Sequence, residues 1–261
     1  MSVNPDWLVP DWPAPANVHA VFTTRTGGQS VAPFDSLNLG DHVGDQALAV
    51  AANRATLVQS LAAKPVFLSQ VHGTQVERLT AQTRHGTQAD ACLTDQAGLA
   101  CTIMVADCMP VLLTDTQGRL VAAAHAGWRS LAGQGGVGVL EQVFKPFRAL
   151  APVHQAQAAI KTIAWLGPCI GPEMFEVGSE VRDIFIADHS AAITMFICHT
   201  PGKWLANLPG LARLRLAALG VDQVYGNDGS RAWCTVSNPS RFFSYRREGV
   251  TGRMAACIWR N

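Results

Sequence analysis

Charge is scarce in this 261-residue chain. Asp, Glu, Lys and Arg make up 15% of it and the formal net charge is +1. No global field therefore draws it to a nucleic acid or a membrane surface. No apolar run approaches the ~20 residues needed to cross a bilayer. The opening residues, MSVNPDWLVPDWPAPAN, carry acids, prolines and tryptophans where a secretion signal has a basic start and an apolar stretch. Seven cysteines, an odd number without close pairing, fit reduced thiols better than a disulfide framework. These absences predict a cytoplasmic protein with no nucleic-acid and no membrane partner. Several chemistry-bearing patterns are missing too. There is no C-x-x-C, H-E-x-x-H or H-x-H, and Pro168-Cys169 lacks the second cysteine of a zinc nucleobase deaminase. Gly133 to Gly138 has neither a dinucleotide fingerprint nor a P-loop Lys-Ser/Thr. No Gly/Ser linker, charge block or internal repeat divides the chain, so one domain over residues 1–261 is expected.

What is present centres on ACTIMVADCMPVLLTDTQGRLVAAAHAGWRS, Ala100 to Ser130. Two apolar runs, Ile103–Leu113 and Leu120–Ala124, flank the turn composition Asp115-Thr116-Gln117-Gly118 and read as two buried strands. Further strands are expected at Val18–Thr24, Pro65–Val71, Val76–Leu79, Ile160–Leu166, Val221–Tyr225, Phe242–Arg247 and Met254–Trp259. Helices are expected from a cap at Asp45 to about Ala63, around Val139–Phe144 before a loop at Pro146, at Glu173–Ala187, and at Leu208–Leu219 with Gly220 as its stop. The proline-rich first segment should run over the surface. Strands and helices alternate unevenly, with hairpins among them, which favours an α+β domain over a regular doubly wound sheet.

Polar chemistry interrupts the apolar runs. His72, Cys108 and His125 each stand at or beside a predicted strand end, flanked by Gly, Asp or Arg rather than by more core. One such residue alone would read as core. Two imidazoles and a thiolate suit zinc, and three protein ligands leave a fourth position open for chemistry. Asp107 is placed to orient a ligand histidine. Arg25, Arg129 and Arg246 are candidate oxyanion or phosphate binders, with surface ion pairing the competing reading and the stronger one for Arg246-Arg247. Asn38 lies in a loop, Ser36 to Asp45, dense in groups able to contact a ligand. Cys169, in a Gly-Pro-Cys turn before a helix, is a second nucleophile candidate and equally a structural turn residue. Trp128 offers a face for a planar ring, or simply core.

Taken in order, the motifs Phe22-Thr23-Thr24-Arg25-Thr26-Gly27-Gly28, Ser36-Leu37-Asn38-Leu39-Gly40, Gln70-Val71-His72-Gly73, Ala106-Asp107-Cys108 with Pro110-Val111, and His125-Ala126-Gly127-Trp128-Arg129 resemble the YfiH family. The likeness continues through Gly167-Pro168-Cys169-Ile170-Gly171, Cys234-Thr235 and Phe243-Ser244-Tyr245-Arg246-Arg247, and so spans nearly the whole chain. The family is also called laccase-domain, polyphenol oxidase or purine nucleoside phosphorylase. The resemblance implies layered mixed sheets flanked by helices and a mononuclear zinc held by His72, Cys108 and His125. It also implies phosphorolysis of adenosine, inosine, guanosine and methylthioadenosine, and deamination of adenosine. Two departures occur: Ser130 where glycine is usual, and Asn207 where aspartate often precedes leucine.

The residues leave three enzyme classes in view. The resemblance puts first a zinc enzyme acting on a small-molecule substrate, a purine nucleoside with phosphate. A copper-dependent phenol oxidase would use the same three ligands, since copper binds such sites more strongly than zinc. Zinc- or cysteine-based hydrolysis of an amide in a small metabolite, such as a cell-wall precursor, is the third.

Overall fold

The computed structural model describes residues 4–150 and 161–261. Two sheets carry the core. The smaller has the order β1 (Val18–Phe22), β13 (Met254–Arg260), β5 (Leu99–Val105) and β2 (Lys64–Phe67), with β2 parallel to β5. The larger has the order β12 (Gln223–Gly226), β8 (Thr162–Leu166), β6 (Met109–Asp115), β7 (Val121–Ala126), β4 (Ala91–Thr94) and β3 (Val76–Arg78). A third, peripheral sheet joins β10 (Phe196–Thr200), β11 (Lys203–Ala206) and β9 (Glu176–Gly178). The expected α+β class with layered mixed sheets is what the chain forms.

Strand periodicity explains the layering. Cys101, Ile103 and Val105 of β5 and Met254, Ala256 and Ile258 of β13 face Leu112, Val121 and Ala123 of the larger sheet in one shared core. The intervening Ala100, Met104, Ala255, Cys257 and Trp259 face outward onto Leu57 of helix α1 (Ala47–Ser60) and onto Leu37 and Leu39. On the far side of the larger sheet, Val111, Leu113, Ala122 and Ala124 receive α3 (Val139–Leu150) and α5 (Leu208–Ala218), with α2 (Trp128–Ala132) and α4 (Ser179–Asp188) beside them. Both faces of the central strands are thus covered. This is why β5, β6 and β7 read as unbroken apolar runs rather than alternating ones.

Several expectations change. Ile103–Leu113 is not one strand: the chain leaves the smaller sheet at Val105, turns at Ala106-Asp107-Cys108, and enters the larger sheet at Met109. Asp107 takes φ +91 in that turn. Asp45 does not cap α1; its carboxylate accepts from Ser30 Oγ and Asn38 Nδ2, and Gln46 precedes the helix. Pro146 lies inside α3, whose buried Val139, Leu140, Val143, Phe144 and Phe147 outweigh the lost donor. The helix expected from Glu173 starts only after β9. Phe242–Arg247 is not a strand; Phe242 and Phe243 fill the core and a short helix, α6 (Tyr245–Glu248), follows. Strands β4, β10 and β11 were not foreseen. Trp7 of the N-terminal segment is buried against β1 and β13 rather than lying on the surface. The strand start at Ile160 and the loop after Leu150 fall outside the described residues.

Candidate active site

Three chain segments converge where the two sheets meet. His72 follows β2 through a loop, Cys108 sits in the crossover between β5 and β6, and His125 stands near the end of β7, paired with Pro110. The candidate ligand atoms of the three lie within 4.8 Å of one another, and Cys108 Sγ is 3.7 Å from His72 Nε2. Around a tetrahedral zinc with ordinary bond lengths, sulfur and nitrogen ligands stand about 3.6 Å apart. The donor set suits one such ion, and the Cys108–His72 separation is the one it requires. Gly127 makes room for these side chains: a Cβ there would come within 2.7 Å of Cys108 Sγ and 3.3 Å of His72 Cδ2.

A residue missed in the sequence holds this group together. Asp90, fully buried just before β4, accepts His125 Nδ1 at 2.9 Å and the backbone N–H groups of Val71, His72 and Gly73 at 3.1, 2.9 and 2.7 Å. The three N–H bonds fix the left-handed backbone of His72, φ +58. The fourth fixes the ring of His125, leaving Nε2 for an ion. The only local cue was a carboxylate ahead of a strand, and a turn has the same cue.

Electrostatics favour a thiolate. Burial would raise the Cys108 thiol, yet the charge of His125 and hydrogen bonds from both histidines bring it down to about 6. Burial would likewise lower His125, but Cys108 and the Asp90 carboxylate lift it to about 9. For Asp90, burial opposes ionisation and the His125 contact overcomes it, holding the carboxyl below its ordinary value. A bound cation would take the place of the imidazolium proton.

Asp107 has a different task from the one expected. Its Oδ1 accepts from Thr235 Oγ1 and its Oδ2 from the backbone N–H of Arg246, both at 2.6 Å, so it ties the crossover to the C-terminal segment rather than orienting a histidine. The cavity above the three ligands has a volume of about 530 Å³. Trp128, Ile170, Phe175 and Leu208 give it apolar walls, while His42, Arg129, Tyr245, Arg246 and Arg253 give it polar ones. Arg129 and Arg246 of the sequence reading are thus brought to the cavity with the metal-competent group.

Three other candidates are not. Arg25 donates to Asp35, Glu248 and the Pro239 carbonyl and covers the Phe243 ring, stitching a loop to the C-terminal segment. Asn38 is fully buried; it accepts the backbone N–H of Arg253 at 2.8 Å and so acts on the cavity through that residue. Cys169 is also fully buried, with Asn227 Nδ2 donating to its sulfur at 3.3 Å, and burial pushes its thiol well up. It does not line the cavity. Both departures from the family pattern have partners. Ser130 Oγ donates to the carbonyls of His125 and Gly127, and Asn207 caps α5 by accepting from Gly210.

Comparison with known proteins places the chain in a family. Residues 19–261 match the family described as multi-copper polyphenol oxidoreductase laccase. The chain is 48% identical over 254 residues to a purine nucleoside phosphorylase of Pseudomonas aeruginosa, covering 97% of this chain and 98% of that protein. It is 46% identical, with the same coverage, to purine nucleoside phosphorylase YfiH of Escherichia coli. A crystal structure of a Neisseria meningitidis protein superposes with a TM-score of 0.87 at 43% identity, covering 98% of this chain and 99% of that one. YlmD from Geobacillus stearothermophilus does so with a TM-score of 0.84 at 32% identity, covering 100% and 98%. By sequence over nearly its full length and by fold, the chain belongs to the multi-copper polyphenol oxidoreductase laccase family, together with the YfiH proteins.

Proposed function

We propose that this chain is a mononuclear zinc enzyme of purine nucleosides in the cytoplasm, catalysing phosphorolysis of adenosine, inosine, guanosine and methylthioadenosine and deamination of adenosine. The observation that carries the proposal is the His72–Cys108–His125 group opening into a cavity of about 530 Å³ with both apolar and cationic walls. That size and mixture suit a ligand of nucleoside dimensions. The names of the relatives support the phosphorolytic part.

The chain's own residues divide the work. Trp128 and Phe175 offer aromatic surface, and Ile170 and Leu208 aliphatic surface, against which a purine packs. Asp90 fixes His125 and the His72 backbone so that the donor set is formed before substrate arrives. Zinc bound there would supply a Lewis acid beside the substrate. In phosphorolysis an oxygen of inorganic phosphate bonds to C1′ while the C1′–N9 bond breaks, and the electron pair leaves on the purine, which takes up a proton. The cationic wall stabilises the phosphate charge. In deamination water adds at C6 and N6 departs as ammonia.

Copper in place of zinc is the competing reading, prompted by the family's description. Among the described residues one group of three donors is found, which accommodates a single ion rather than several coppers. The test is incubation of zinc-loaded protein with adenosine, with and without phosphate, alongside metal analysis of protein purified without added metal. Adenine that depends on phosphate and inosine that does not are expected. Formation of neither would sink the proposal, and stoichiometric copper with oxygen uptake would transfer the chain to phenol oxidation.

A further inference from the structure

Phosphorolysis brings a doubly charged anion into a partly apolar cavity, and a guanidinium held in place beforehand is the protein group best matched to it. Three arginines line the cavity. Arg246 is engaged elsewhere: both its terminal nitrogens donate to the Glu176 carbonyl at 3.2 Å and its guanidinium lies against Phe175. Arg129 is exposed, lies over the Trp128 ring at 4.4 Å, and has no side-chain hydrogen bond among the described residues to fix it.

Arg253 differs from both. Its backbone N–H is anchored by the buried Asn38 amide, 215 residues away. Its stem runs where Gly40 has no side chain; a Cβ on Gly40 would come within 2.7 Å of Arg253 Cγ. Nη1 donates to the carbonyls of Thr251 and Gly252 at 3.0 and 3.1 Å, which sets the plane of the guanidinium. Nε and Nη2 have no hydrogen bond, and no carboxylate stands within ion-pair distance, among the described residues. Cys108 and then Asp107 act on this guanidinium through space, and Asp107 already uses both oxygens on Thr235 and Arg246. The half-buried cation is thus placed, desolvated in part and left with free donors at the cavity that Cys108 also lines.

We propose that Arg253 holds inorganic phosphate beside the metal-competent group, with Asn38 and Gly40 positioning it. The assignment rests on the phosphorolytic reading, and its test is arranged to separate the two. Binding of inorganic phosphate to the metal-loaded protein is measured by phosphorus NMR titration, which needs no turnover. Phosphorolysis of adenosine is measured at varied phosphate and at varied nucleoside. Removing a charge-assisted pair weakens such binding roughly 10- to 100-fold. Arg253→Gln should therefore raise both the phosphate Kd and the phosphate KM by that factor, with a much smaller change in nucleoside KM. Arg253→Lys, which keeps the charge but not the fork, should fall between and decides the matter if the glutamine variant does not fold or load metal. Wild-type protein that binds phosphate yet turns over no nucleoside would defeat the nucleoside reading and leave Arg253 to be judged by binding alone. An unchanged phosphate Kd in both Arg253 variants, no phosphate binding by wild type, or a larger loss from Arg129→Gln would overturn the assignment.

Discussion

Replacing Asp90 by asparagine changes one atom of a fully buried group and tests how the site is built. Oδ2 accepts from the Val71 and Gly73 N–H groups, and Oδ1 accepts from His72 N–H and His125 Nδ1. An amide has one acceptor oxygen, and its NH2 cannot receive a donor. Whichever way it turns, two of the four donors lose their partner. Each buried donor left unmatched costs about 1–3 kcal/mol, so after relaxation the loss should be about 2–4 kcal/mol. In a chain of this length that lowers Tm by roughly 5–12 °C. The imidazole also loses the carboxylate that fixes its ring, and such changes weaken metal binding by about 10- to 100-fold. Competition with a chelator of known affinity gives the second quantity, and calorimetry of the metal-free protein the first. An Asp90→Asn variant within about 1 °C of wild type and within about twofold in zinc affinity would refute the reasoning.

Three further outcomes follow from the same geometry. Gly127→Ala should leave the fold intact, since Gly127 has φ −72, but weaken zinc binding about tenfold or more, because the new Cβ displaces Cys108 Sγ; chelator titration checks it. Cys169→Ser should keep turnover within about tenfold, as its side chain faces Asn227, whereas His72→Ala should remove nearly all of it; the two are assayed together with zinc content. For Glu248, burial opposes ionisation but Thr251, Arg247 and Arg25 outweigh it, so its folded pKa lies below the ordinary 4.5. Its contribution to stability is then present above that value and lost as pH falls through the folded one. The Tm gap between wild type and Glu248→Gln should be widest near neutrality and close on acidification.

The parts of this protein legible in its sequence are those whose cause is local. The covered strands β6 and β7 announce themselves as apolar runs, and Leu208 to Gly220 reads correctly as a helix with its stop. His72, Cys108 and His125 were visible because polar groups interrupt such runs. What stayed hidden depends on distant partners. Asp107 interrupts its apolar run, but nothing nearby says that the chain changes sheets there, because both halves enter cores. Asn38 looked like a ligand contact, and its partner Arg253, just before the last strand, is 215 residues away. Asp90 and Arg25 have ordinary neighbours in sequence, and their roles come from residues the chain brings to them later. The hairpin β10–β11 escaped for a different reason: Ile197 to Lys203 is largely exposed, so no burial pattern marks it.

The crossover at Ala106–Cys108 has a mechanical consequence. His72 comes from a loop leaving the smaller sheet, His125 belongs to the larger, and Cys108 sits on the strand of chain that passes between them. An ion bonded to all three would cross-link the layers and resist sliding of one sheet over the other at that end. The core shared by the two sheets does not depend on it. Stripping the ion should therefore loosen this edge of the sandwich without unfolding it, and amide exchange should quicken at Val71–Gly73 and Gly127 while the middle of β5 and β6 stays protected.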